Sequence, residues 1–353
     1  MVDTSDEHAE GDNEVGERVG SVVDRFRELR TADRQRREHS EEGVVLDQLD
    51  AVEERLLAFG RALGGDPDDV EDLPFTEEAG RDGMPEPLYV RHDRMLLNQV
   101  TSWLLQRQHI GLVSEYGTGK TAFREILKRD LGRREDFAVA HVDNPRETTP
   151  RGLYEKVLRA AGDAGYEIDP ENYWQIRDGI PWATAETKQA VKEVAEDARE
   201  ADVTLLLLVD EIEDLPEELL TAIQIAGDAG VRLFLSGTPE GKERLGDVKA
   251  TLDSRLRYYE GIEPFGVEDV AEYVARSLAF FRGEEYDGES PDLFESSAIA
   301  DVHERTGGNP REVRLECREL FTRAAFVWYR TGQDVDRIRI TPELRHRRFG
   351  MDR

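Results

Sequence analysis

A parallel α/β sheet covered by helices on both faces, followed by a small all-helical lid, is the fold this 353-residue sequence predicts. Three observations carry that expectation. A glycine-rich stretch, Ser114-Glu115-Tyr116-Gly117-Thr118-Gly119-Lys120-Thr121, lies between the apolar run Ile110-Gly111-Leu112-Val113 and a helical pattern opening at Ala122. A second apolar run, Thr204 to Val209, ends in the paired carboxylates Asp210-Glu211. Strand-like and helix-like segments alternate as far as Pro264, and beyond it the strand signals mostly stop.

Taken in order, residues 1–14 are polar and acidic and read as a disordered tail. Within 15–63, Val15 to Arg37 and Val44 to Leu63 place apolar residues at helical spacing. These amphipathic helices can pair with each other, meet a partner or pack locally. Gly64-Gly65-Asp66-Pro67 breaks the pattern, and 64–87 reads as a linker. The core is expected over 88–262. It opens with a helix from Asp93 to Gln106, and its strands are Ile110–Val113, Phe137–Val142, Thr204–Val209 and Val231–Ser236. Helices over Thr149–Gly162, with Pro150 in its first turn, and Lys188–Glu200 fall between them. Tyr166 to Trp182 is rich in aromatics, which suits packing better than an interaction insert. A helical lid is expected over 263–345, with helices at Val267–Phe281, Ser297–Thr306 and Pro310–Thr331, and an Arg-rich tail follows over 346–353.

Composition narrows the setting. The formal net charge is -30, and arginine supplies nearly all the positive charge. Such acidity keeps a protein hydrated in concentrated salt, so the chain reads as halophile-like. The charge then says little about partners, because molar salt screens it within a few ångströms. The single cysteine, Cys317, excludes an internal disulfide and suggests no metal cluster. The acidic N-terminus lacks the pattern of a signal peptide, and no apolar run reaches the ~20 residues that span a bilayer. A cytoplasmic protein without membrane contact is expected.

The chemistry centres on the glycine-rich loop, a phosphate-binding (Walker A) motif in strand–loop–helix context. Backbone N–H groups from Tyr116, Gly117, Thr118, Gly119 and on to Ala122 can converge on phosphate oxygens at a helix N-terminus. Lys120 is placed to reach the β- and γ-phosphates and Thr121 to ligate Mg²⁺. Ser114 stands where a first glycine is expected. Asp210, ending a buried strand (Walker B), is the second Mg²⁺ residue, and Glu211 the general base toward water. Ser236 or Thr238, at the next strand end, can hydrogen-bond the γ-phosphate or the water. Arg255, with Arg257 as fallback, is a candidate arginine supplied to a neighbouring subunit. Asn309-Pro310 can start the third lid helix, putting Arg311 in its first turn facing the nucleotide.

On these residues the chain resembles AAA+ ATPases from about Leu88 to Thr331. The likeness is carried by Gly117-Thr118-Gly119-Lys120-Thr121, Asp210-Glu211, Ser236-Gly237-Thr238-Pro239, Ser254-Arg255 and Gly307-Gly308-Asn309-Pro310-Arg311. More narrowly it is similar to the branch holding replication initiators and transposition- and secretion-associated ATPases. The resemblance implies ATP and Mg²⁺ as cofactors, homo- or hetero-oligomers with sites at subunit junctions, and adenine near Tyr89 to Arg91. It also implies Arg311 as a second sensor and Arg255 as the trans arginine. Initiators carry a winged helix after the lid; too few residues follow Thr331 here, so a protein without one is expected.

Three functions compete. The leading one is an ATP hydrolase driving a partner-directed conformational change, with a DNA transaction as its setting. The alternative is a nucleotide-dependent switch or scaffold that hydrolyses little and signals through its N-terminal helices. The third is direct DNA binding through Arg345, Arg347, Arg348 and Arg353.

Overall fold

The computed structural model describes residues 44–76, 84–142, 144–166 and 184–346. The expected acidic tail, the helix over Val15–Arg37, most of the aromatic stretch and the tail arginines after His346 lie outside them. The chain divides at Glu54–Arg55 into two units. Of the first, only the helical residues from Val44 are described.

Helix α1 runs Val44–Ala62. In the second unit come α2 (Arg94–Leu105), β1 (His109–Val113), α3 (Lys120–Gly132), β2 (Phe137–Val142) and α4 (Pro150–Asp163). Then follow α5 (Thr184–Glu200), β3 (Thr204–Val209), α6 (Glu217–Ala229), β4 (Arg232–Gly237), α7 (Pro239–Asp253) and β5 (Leu256–Glu260). The C-terminal helices are α8 (Val267–Arg282), α9 (Ser296–Thr306) and α10 (Pro310–Arg330). All strand pairings are parallel, in the order β2-β3-β4-β1-β5.

Alternation along β3 explains why helices cover both faces. Leu205, Leu207 and Val209 enter one apolar cluster with α4, α5, α6 and α7. Leu206 and Leu208 enter a second with Leu96, Val100 and Leu104 of α2 and Phe123 and Leu127 of α3. Every residue of β3 is buried, as a strand between two helical layers must be. Capping residues sharpen the helix starts: Asp93 accepts from Leu96 N–H (2.8 Å) and Thr149 from Gly152 N–H (3.1 Å).

Strand β5 escapes hydrophobic patterning. Its sequence, Leu-Arg-Tyr-Tyr-Glu, sits at the sheet edge, where one buried residue suffices and the rest are partly or fully exposed. Tertiary contacts fix it: Tyr259 Oη donates to both oxygens of the buried Asp93 carboxylate, at 3.0 and 2.9 Å.

The lid surrounds a third cluster built on α8, α9 and α10, with Ile340 bridging to Phe294. Segments ahead of the core join it. Phe59, wholly buried on α1, sets its ring 5.2 Å from Phe321 and 5.4 Å from Trp328. The described part of the expected linker is packed as well: Asp69 caps a short turn at Val70–Asp72, and Leu73 and Phe75 are buried in the lid cluster. Arg345 does not project as a free cation. It is tied to Glu316 and, at 2.9 Å, to Asp301, which removes it from the DNA-binding reading. Among the described residues no helix is long and apolar enough to cross a membrane, and no acid–His–Cys group has the makings of a metal site.

Candidate functional site

The C-terminal ends of parallel strands are where an α/β sheet binds ligands, because helix N-termini and connecting loops converge there. Here β1 ends at Val113 and feeds the glycine-rich loop, and the loop feeds α3. Gly117 and Gly119 both have positive φ, +79° and +97°. That conformation turns successive N–H groups inward and is open to glycine at little cost. Around Gly119 a Cβ would meet nothing within 4 Å, whereas at Gly117 it would lie 2.6 Å from Asn309 Oδ1 and 2.8 Å from Arg311 Cβ. So one glycine faces open space above the helix, and the other lets the lid approach.

Ser114, at the position of the expected first glycine, has no positive φ and so needs no glycine. It is buried, and its hydroxyl accepts from Ile262 N–H at 3.1 Å. Serine therefore ties the loop entrance to the segment leading into the lid.

Lys120 folds back over the loop, its Nζ donating to the carbonyls of Ser114 and Glu115, both at 2.7 Å. Burial lowers its pKa, while Asp210, Glu213 and Glu115 pull the other way and favour the cation. Asp210 is the hub. Its Oδ2 accepts from Thr121 Oγ1 at 2.7 Å and its Oδ1 from Ser236 Oγ at 2.7 Å and from Glu211 N–H at 3.0 Å. The buried Arg124 guanidinium lies 3.5 Å from Oδ2 and is held by Glu125. A hydroxyl and a carboxylate side by side, with no thiol or imidazole, are a donor set for a hard cation; the residues fit Mg²⁺.

Glu211 sits next to this hub with φ 55° and ψ 54°, a left-handed conformation that is costly for a side-chain-bearing residue. Its carboxyl is pushed up from the ordinary value, first by desolvation and then by Asp210, Asp214 and Glu213. Glu213 accepts from Thr238 N–H at 3.1 Å and raises the Tyr116 phenol by its charge.

Among the described residues, two hydrogen bonds join the lid to the loop. Asn309 Nδ2 donates to Tyr116 O at 2.9 Å, and Arg311 N–H donates to Gly117 O at 3.2 Å. Asn309 also caps α10, accepting from Arg311 and Glu312 N–H groups. Between loop and lid lies a cavity of about 450 Å³. Tyr116 to Ala122, Asp210, Glu211 and Arg311 all line it, so sequence-distant candidates meet at one place. Tyr89 and Val90 line it as well, and Arg91 does not.

Two candidates are elsewhere. Thr238 does not line the cavity; its hydroxyl caps α7 by accepting from Gly241 N–H at 3.1 Å. Ser236, weighed beside it, is the residue that touches Asp210. Arg255 precedes β5, at the sheet end opposite the loop, roughly 16 Å away by strand rise over the length of β1. It pairs there with Asp228, and Arg257 lies within β5. Four residues at the site were not singled out in the sequence: Arg124 beside Asp210, and Glu213, Phe265 and Arg314 in the cavity lining. Only Arg124 and Glu213 leave a signal in hindsight: one follows Lys120 by a helical turn, and the other follows Asp210 by three residues.

The family model and the ORC2 structure described next agree with this fold. Residues 104–245 match the family model described as an AAA domain. The ORC2 protein of Aeropyrum pernix, solved as ADPNP-ADP complexes, superposes with TM-score 0.50 at 14% identity, over 78% of this chain and 70% of that one. Hsp104, solved with ATPyS and FITC casein, gives TM-score 0.42 at 16% identity over 73% of this chain and 41% of its own. PCH-2 of C. elegans gives 0.36 at 15% identity over 69% and 72%. No curated protein sequence matches. The fold is that of an AAA+ ATPase.

Proposed function

We propose that this chain, an AAA+ ATPase in fold, binds Mg·ATP between core and lid and hydrolyses it to drive a conformational change in a partner. The observation that carries the reading is the convergence of Thr121, Ser236 and Arg124 on the buried Asp210 carboxylate, beneath a loop that the lid residues Asn309 and Arg311 already hold.

The roles follow from chemistry. Lys120, half-withdrawn onto two carbonyls, exchanges those acceptors for phosphate oxygens and keeps its charge. Thr121 and Asp210 would hold Mg²⁺, which when bound would supply charge neutralisation at the triphosphate. Ser236 orients Asp210 by donating to the oxygen that Thr121 leaves free. Glu211, desolvated and held in a strained turn, takes a proton from the attacking water as the bond to the γ-phosphorus forms and the β–γ bridge breaks. ADP and phosphate leave. Arg311 senses the γ-phosphate from the lid. Arg255 lies too far from its own loop to serve it, which suits an arginine offered to a neighbour's site. On assembly it would exchange Asp228 for the neighbour's phosphates.

The test is steady-state ATP turnover in molar KCl with Mg²⁺ over a range of protein concentrations. Activity per molecule should rise with concentration, vanish in Lys120→Ala and fall at least 100-fold in Glu211→Gln, the scale of lost general-base catalysis. An Arg255→Ala protein should be inactive alone yet partly active when mixed with excess Glu211→Gln, because each supplies what the other lacks. Turnover unaffected by Glu211→Gln would refute the mechanism. Tight binding without turnover at every concentration would favour the nucleotide-switch reading instead.

A further inference from the structure

The cavity has two ends of different chemistry. Lys120, Thr121 and Asp210 make the polar end; Leu88, Val90, Leu96, Ile262 and Phe265 make the apolar one. A flat heteroaromatic base suits the apolar end, yet apolar walls cannot tell one purine from another. His92, a ring with a hydrogen-bonding edge, stands in that wall beside the phenols Tyr89 and Tyr273.

His92 is pinned on two sides. Its Nδ1 lies 3.2 Å from the carbonyl oxygen of Val90. Its ring meets Phe265 nearly edge-on, with centroids 4.7 Å apart and planes at 80°. A carbonyl only accepts, so Nδ1 carries the proton, and in the neutral ring Nε2 keeps a lone pair. Nε2 is buried and has no hydrogen-bond partner among the described residues. A buried polar atom without a partner costs stability unless a ligand completes it. The position is fixed from both sides of the chain. Val90 is buried just ahead of Asp93, which caps α2 and accepts from Tyr259 and from Glu263 N–H (3.2 Å). Phe265 N–H donates to Gly308 O at 2.9 Å.

We propose that His92 is the base-reading residue of this site: its Nε2 accepts a hydrogen bond from an exocyclic amino group at the 6-position of a purine, selecting adenine. This rests on the nucleotide reading above and adds to it the group that is recognised. A satisfied buried acceptor contributes about tenfold in affinity over a ligand that leaves it bare. His92 touches only the base, so the preference should appear in binding without hydrolysis.

The experiment measures dissociation constants for ATP and for purine-riboside triphosphate, which lacks only the 6-amino group. Both are titrated on the full chain in molar KCl with Mg²⁺ by competition against a fluorescent nucleotide. His92→Asn keeps a donor toward Val90 O and loses the outer nitrogen; His92→Phe keeps the ring against Phe265 and loses both nitrogens. The unaltered protein should bind ATP about tenfold tighter than the analogue. That ratio should fall toward one in both variants, with the analogue bound nearly alike by all three. If His92→Phe does not fold, the ratio in His92→Asn decides. A ratio near one in the unaltered protein, or one that survives in His92→Asn, overturns the assignment to His92. Failure of the unaltered protein to bind either triphosphate would instead sink the nucleotide reading itself.

Discussion

Gly307 and Gly308 stand side by side at the corner between α9 and α10 and offer a controlled perturbation. Both have positive φ, +58° and +75°. A Cβ at Gly307 would meet nothing within 4 Å, whereas a Cβ at Gly308 would lie 2.1 Å from the carbonyl oxygen of Phe265 and 3.0 Å from its N and C atoms. The obstructing atoms are backbone, so no side chain can swing away. Each alanine brings the left-handed penalty, about 1 kcal/mol. Only Gly308→Ala must also open the corner by about 1 Å to restore contact distance and loosen the 2.9 Å bond from Phe265 N–H to Gly308 O. That bond contributes about 1 kcal/mol, so the two variants should differ by roughly fivefold in any property that needs the corner closed. Phe265 lines the cavity, and Asn309 beside Gly308 holds Tyr116 O, so nucleotide affinity is such a property. The assay is titration of a fluorescent ATP analogue, with thermal melts to show that both variants fold. Gly308→Ala should lose about fivefold more affinity than Gly307→Ala, which should itself lose about threefold or less. Equal losses would refute the argument that backbone space at this corner governs the site.

Two further outcomes are expected. Ser236→Ala, which removes a donor to Asp210, should lower turnover about tenfold while nucleotide binding stays within threefold; Thr238→Val should act chiefly on stability, costing about 1 kcal/mol of α7 capping in a denaturant melt. The reverse pattern would show that Thr238, not Ser236, serves the chemistry. His109 gives a pH signature. Burial first, then Arg232 and Arg255, lower its pKa from 6.5 to about 4, and its Nδ1 accepts from Leu233 N–H at 3.2 Å. The unfolded ring takes a proton near 6.5 and the folded ring resists until about 4, so stability is full above that window and falls as pH drops through it. The gap corresponds to at most about 3 kcal/mol, trimmed to about 1.5 by solvent around the half-buried ring. Unfolding free energies at pH 7 and pH 4.5 should therefore converge for His109→Gln relative to the unaltered chain; an unchanged difference would contradict the assignment.

What the sequence alone determined is local and periodic. Glycines with a lysine and threonine at fixed spacing, an apolar run ending in Asp210-Glu211, and Asn309-Pro310 at a helix start are read from neighbours a few residues apart. Backbone conformation and helix capping act over that range, and these elements appear within a residue or two of their expected bounds. Tertiary structure alone decided the rest. That Ser236 rather than Thr238 meets Asp210 depends on β3 and β4 lying in register, with Val209 opposite Leu235. Arg124 counts because α3 packs its Phe123–Leu127 face on the same sheet layer, leaving the guanidinium beside a carboxylate 86 residues away in sequence. Strand β5 exists because the sheet supplies an edge beside β1 and Asp93 supplies a partner, although its own pattern is poor. Phe75 joins the lid because its aromatic cluster leaves room for it, something no linker-like composition encodes, whereas the helical spacing around Phe59 marked an apolar face without saying that Phe321 and Trp328 would cover it. His92 shows the same limit most sharply: a histidine two residues before a helix is unremarkable in sequence, and only Val90 O on one side and the Phe265 ring on the other leave its Nε2 buried, oriented and without a partner among the described residues.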